Sequence, residues 1–275
     1  MTTDLQGSHR VPTRLGRLHV RASGSGPATV LWPSMFVDGR TFDPLLQLLP
    51  GRRLIVVDGP GLGASESLHR RTTITEAADA AHDLLTGSQA SDLGITGPVD
   101  WVGNAFGGHV GYELARRPGV LRSLAAISAP TEPVPSAMRR QIGLLGPLLR
   151  LLGPVGPVRE AILTALLTEA SAADPVVRTA VLDSVATPTR RSLSLALRSF
   201  VVDRADVTGG LADIAVPCLF VAGDDRGDWT PEAAATAAEL TPWATAVTIP
   251  GSRTLVPLEQ PSALAGELRS FWSRV

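Results

Sequence analysis

The run WVGNAFGGHV, residues 101–110, carries the spacing Gly103-x-Ala105-x-Gly107 between an apolar stretch and a helical one. A chain builds a nucleophile elbow this way. Two glycines allow a sharp strand-to-helix turn that presents one side chain to a carbonyl carbon. The residue at the tip is Ala105, whose methyl group has no lone pair to attack with. The turn is therefore either a reactive site with its nucleophile replaced, or a scaffold retained for its other asset, the backbone N–H of Phe106 at the head of the following helix.

The remaining chemistry-bearing residues do not form an obvious second centre. Cys218 sits inside an apolar strand-like run and reads as a buried structural thiol. His109 lies one helical turn past Ala105, where a packed histidine is expected; His9, His19, His69 and His82 are scattered through the first third of the chain. No Cys/His grouping has metal-ligand spacing, and the glycines at 23–26 and in DGPGLG neither open a helix nor precede a P-loop lysine. No metal or cofactor is expected.

These residues need a frame. The runs 28–34, 52–61, 99–103, 121–130, 216–224 and 244–251 read as buried strands, with a hairpin signal ahead of the first. Helical stretches alternate with them, such as 107–117, which ends at Arg116-Arg117 before Pro118-Gly119. Alternation of this kind argues for a mostly parallel sheet covered on both faces. From 131 to 208 strand signals stop and amphipathic helices take over, one of them starting at Asp174-Pro175, an N-cap followed by proline at the first helical position. The expected organisation is a core of 1–130 and 209–275 with a helical lid at 131–208, whose apolar faces either roof a pocket or pack on the sheet.

Composition sets outer bounds. The chain has 275 residues, 44% of them hydrophobic and 19% charged, with a formal net charge of −1. That suits a folded, enzyme-sized α/β protein and does not suit disorder. The arginines are interspersed with acids along the chain, which points to neither a nucleic-acid partner nor an anionic membrane surface, and no membrane insertion is expected. A single cysteine and an N-terminus without an apolar signal core predict a cytoplasmic protein. The oligomeric state is not encoded in anything visible.

Four segments, in order, resemble the α/β-hydrolase fold superfamily over nearly the whole chain. Asp58, Pro60, Gly61, Gly63 and Ser65 match its D-x-P-G-x-G-x-S loop, and the elbow is the second match. The third is VPCLFVAGDDRGDWTPEAA, similar to the strand and loop bearing the family's acid; the fourth is IPGSRTLVPLEQPSALAGELRSFW, similar to its last strand, histidine loop and closing helix. The resemblance implies a serine–histidine–acid triad with backbone oxyanion donors. This sequence departs from that pattern. Ala105 stands for the serine, and Thr254, preceded by Arg253, stands for the histidine. Two independent losses favour a disabled triad over an isolated replacement. The oxyanion loop reads Trp32-Pro33-Ser34 instead of His-Gly-x, leaving the N–H groups of Ser34, or of Met35 one residue on, and of Phe106 as donors, with Trp32 beside them as a substrate-binding candidate. The acid loop offers Asp225 and Asp228, with Asp228 slightly favoured; buried without a histidine, such a carboxylate would have a raised pKa and act as a general base.

Three functions fit this reading. The first is a cofactor-independent, non-hydrolytic biosynthetic enzyme (cyclase, lyase or isomerase) acting on a small apolar molecule. The alternatives are an esterase or lactonase inactivated by serine-to-alanine replacement, and a non-catalytic small-molecule binding protein.

Overall fold

The computed structural model describes residues 7–225 and 227–275. Eight strands form one sheet: β1 (Ser8–Thr13), β2 (Gly16–Ser23), β3 (Ala28–Trp32), β4 (Arg53–Val57), β5 (Val99–Asn104), β6 (Leu121–Ile127), β7 (Cys218–Gly223) and β8 (Ala244–Ile249). Their order is β1-β2-β4-β3-β5-β6-β7-β8, with β2 antiparallel to both neighbours and every pair from β4 to β8 parallel. β3 to β7 lie almost wholly in the core because helices cover both faces, which is why their sequences are continuous apolar runs instead of alternating ones. The expected α/β-hydrolase architecture of a mostly parallel sheet flanked by helices is what the chain forms.

The covering helices are α1 (Asp43–Leu46), α2 (Ile74–Thr86), α3 (Phe106–Ala115), α9 (Pro231–Glu239), α10 (Val256–Glu259) and α11 (Pro261–Trp272). α2 begins with a full capping box, Thr73 and Glu76 each satisfying the other's backbone N–H. Between β6 and β7 come α4 (Ser136–Leu152), α5 (Gly156–Leu166), α6 (Glu169–Ala173), α7 (Pro175–Ala186) and α8 (Arg190–Leu197). Asp174 does cap α7, accepting from the N–H groups of Val176 and Val177. α5 ends at Leu166 because Thr168 leaves the helix to cap α6.

The turn at Ala105 depends on its glycines for space. A Cβ on Gly103 would stand 2.1 Å from the carbonyl oxygen of Gly107, and one on Gly107 would stand 2.1 Å from that of Trp32. Both obstacles are backbone, at the seam where α3 meets β5 and β3, so neither can yield as a side-chain tip would. Gly107→Ala is expected to destabilise the fold by about 3 kcal/mol, read as a lowered urea midpoint. Gly119→Ala, at a position where a Cβ meets nothing, separates this packing effect from backbone strain alone, because Gly119 has a φ of 74°.

Candidate active site

Ala105 sits in an unusual backbone conformation, φ 45° and ψ −103°, between β5 and α3. A non-glycine residue there carries strain, of order 1–3 kcal/mol, that persists only when the surroundings fix it. Here they do. The Ala105 N–H donates to Ile127 at 2.7 Å, and its carbonyl accepts from Gly108 and His109. Ala105 keeps partial exposure while the residues flanking it are buried. Phe106 is the first residue of α3, so its N–H has no acceptor within the helix.

The loop before α10 comes to this turn. The Asn104 amide donates to the Thr254 carbonyl at 2.7 Å and to that of Ile127 at 3.2 Å. The Ser128 hydroxyl donates to the Arg253 carbonyl. Ala105 and Thr254 therefore lie on adjoining loops, both partly exposed. Asn104 and Ser128 were not singled out in the sequence; only their places at the ends of β5 and β6 hint at the role.

Thr254 is not poised over Ala105 as a base would be. Its hydroxyl donates to the Ala165 carbonyl at 2.9 Å, and the N–H groups of Thr254 and Leu255 both donate to Leu166. The Arg253 guanidinium adds a bond to the Thr164 carbonyl. The loop thus caps the C-terminus of α5, satisfying the carbonyls a helix end leaves bare, and Arg253 places a positive charge at the negative pole of the dipole. Glu259 extends the joint, accepting from the N–H of Arg253 and from that of Thr168, each at 2.8 Å.

Both acid candidates face guanidinium groups. The Asp225 carboxylate accepts from Arg253 at 2.8 and 3.2 Å, and the Asp225 N–H donates to Ser252. The Asp228 carboxylate accepts from Arg204 at 2.6 Å, and Arg204, itself buried, also donates to the Glu132 carbonyl. The apolar surroundings that the general-base expectation required are absent at both positions, and the position favoured from sequence, Asp228, is engaged with the 203–207 segment. Arg204 and Arg253 were missed as acid partners, since arginines 24 and 28 residues away carry no periodic signal.

The oxyanion side corrects one expectation. The Trp32 side chain belongs to the core: fully buried, it stacks on Trp101 with centroids 5.3 Å apart and meets Phe106 edge-on. Ser34 and Met35 are buried as well, whereas Phe36, with φ 75°, keeps partial exposure. The Phe106 ring stacks at 4.1 Å on Phe200, which comes from the helical turn after α8, so the β6–β7 helices reach the elbow.

Two other residues stand as read. His109 is buried, edge-on to Tyr112, and burial together with the nearby Arg204 charge pushes its imidazole down to about 3. Burial pushes the Cys218 thiol up to about 12, which removes it as a nucleophile. The D-x-P-G-x-G-x-S loop is structural: Asp58 accepts from the N–H groups of Gly39 and Ala64 and bonds to His19 at 2.9 Å. Burial raises its carboxyl, but those bonds outweigh it and hold the group below its ordinary range.

A parallel sheet whose strand-to-helix elbow meets the loop after the last strand defines the class. The model of the alpha/beta hydrolase family matches residues 22–267, and the chain belongs to that family. It is similar to a pimeloyl-[acyl-carrier protein] methyl ester esterase of Stenotrophomonas maltophilia, 28% identical over 244 residues that span 84% of this chain and 87% of the relative. Among solved structures it is similar to a thermophilic esterase from Thermogutta terrifontis (22% identity, 98% of both chains, TM-score 0.85). It is likewise similar to an enol-lactonase from Burkholderia xenovorans (20% identity, 96% of this chain and 100% of that one, TM-score 0.85).

Proposed function

We propose that this chain recognises small carboxylic esters or lactones at the Ala105 turn and that their cleavage is disarmed at positions 105 and 254. The observation that carries this reading is the turn itself: its strained backbone is retained and held by Ile127, Gly108 and His109, while the attacking atom is missing. The names of the relatives, esterases and an enol-lactonase, support the ester class and fit the hydrolase alternative better than a cyclase, lyase or isomerase. The carboxylates that such chemistry could use as a base, Asp225 and Asp228, are both bound to arginines. In this reading the segment 131–208 is a lid over a core of 1–130 and 209–275, supported by the Phe200–Phe106 stack and by the α5 carbonyls bonded to residues 253–255. The N–H groups of Phe106 and of Ser34 or Met35 would face the carbonyl oxygen. The unpaired thiol of Cys218 supports a cytoplasmic location.

The test is to mix the protein with p-nitrophenyl butyrate or a δ-lactone and follow the ligand by saturation-transfer NMR. The expected result is stoichiometric binding with the ligand recovered intact, abolished by Ala105→Leu, which fills the tip. Product in excess of protein, suppressed by the same substitution, would overturn the disarmed reading. Absence of binding by both ligands would overturn the ester class.

A further inference from the structure

The arginines that alternate with acids along the chain do not alternate with them in space. α4 carries Arg139, Arg140 and Arg150, α8 with its following turn carries Arg190, Arg191 and Arg198, and neither segment contains an acidic residue. α4 and α8 pack side by side, so these charges share one side of the molecule. Beside them Arg71, Arg150, Arg191 and Arg198 line an open concavity of about 590 Å³. Of these four, Arg71 is paired with Asp203.

The same helix is apolar on its outer side. α4 buries Leu149 and half-buries Ile142 and Leu145 against the core. Leu144, Leu148, Leu151 and Leu152 face outward at spacings of four, three and one residues, a single helical stripe, and exposed Val155 follows beyond the helix end. Leu144 is 77% exposed and Leu151 69%, a cluster that an isolated soluble surface seldom carries. Along this edge, therefore, one apolar row of α4 packs on the core and a second row faces outward.

We infer that the α4–α8 face docks on an anionic phospholipid surface, the leucine stripe entering the headgroup boundary and the arginine concavity receiving phosphate groups. A basic amphipathic helix with leucines on its free side has this property. Charge selects the occupant: a second copy would place these arginines against one another, whereas an anionic leaflet attracts them. The docking is peripheral, since no described helix is long and apolar enough to cross a membrane. It revises the expectation of no membrane partner only as far as the surface, and it does not depend on the ester reading.

Sedimentation of the full chain with vesicles tests this. Binding is expected to phosphatidylcholine vesicles containing phosphatidylglycerol, weakly or not at all to phosphatidylcholine alone, with release in high salt. Arg150→Gln with Arg198→Gln should lower the partition coefficient about 25-fold, roughly fivefold per arginine. Leu144→Glu with Leu151→Glu should remove binding while leaving the melting temperature unchanged, because both side chains are exposed. No binding to anionic vesicles, or binding unaltered by both pairs, overturns the inference. So does a dimer, seen by light scattering, that the leucine substitutions dissociate without any vesicle binding by the parent.

Discussion

Installing a serine–histidine–acid triad at the Ala105 turn is expected to need three substitutions, and to show almost nothing until all are present. Ala105→Ser alone restores a hydroxyl with no base to take its proton. Thr254→His alone restores a base with nothing to activate. Each single variant should release p-nitrophenol from p-nitrophenyl butyrate at the parent's rate, because triad members act as a unit and their effects are grossly non-additive. Ala105→Ser with Thr254→His brings the two onto adjoining loops, which the Asn104 bond to the Thr254 carbonyl holds together. That pair still lacks an orienting acid, since Arg253 occupies the Asp225 carboxylate. Arg253→Gly removes that pairing and places a glycine before the new histidine, as in the family's pattern. The Glu259 bond survives, because it is made to the backbone N–H of residue 253. For the triple variant kcat/KM should rise about a thousandfold over the parent, with most of the gain on the last step. If the triple variant folds, by its melting curve, and stays at the parent's rate, then the elbow and the 251–255 loop do not align for catalysis.

The sheet was legible because five of its strands are buried on both faces, so their sequences are unbroken apolar runs ended by turn residues. The elbow was legible for a different reason: Gly103 and Gly107 stand where a Cβ would strike backbone oxygen, so the spacing is enforced by sterics. The Asp174 cap was legible because capping is local. What decides the site is not local. Arg253 with Asp225, Arg204 with Asp228, and Phe106 with Phe200 are pairings between residues far apart along the chain, made by loops whose course no periodicity records. Thr254 shows the limit plainly. Its type marked a departure from the family's pattern, but only the fold shows this loop capping α5. α4 shows the converse: its period announced an apolar face and was silent on which way that face would turn.

His109 is expected to make the fold acid-labile well before the carboxylates do. In the unfolded chain its imidazole takes up a proton near pH 6.5, whereas in the folded protein burial and the Arg204 charge hold it neutral down to about 3. The folded pKa is the depressed one, so stability is fully present above about pH 6.5 and is lost as the pH falls toward 3. The slope in that window is about 1.4 kcal/mol per pH unit, for a loss of order 4 kcal/mol across it. Tyr112, whose phenol burial holds well above its ordinary value, stays neutral throughout. The ring's Nδ1 is buried with no partner among the described residues, so replacing it by leucine leaves no broken bond on that atom. His109→Leu should therefore match the parent within about 1 kcal/mol at pH 7 and exceed it by about 3 kcal/mol at pH 4. Urea midpoints at both pH values measure this. Asp58 contributes its own loss below about pH 4, as the pH falls through its lowered pKa, and does so in both proteins. It cancels in the difference, so equal acid sensitivity of parent and variant would mean that His109 is protonated in the folded state.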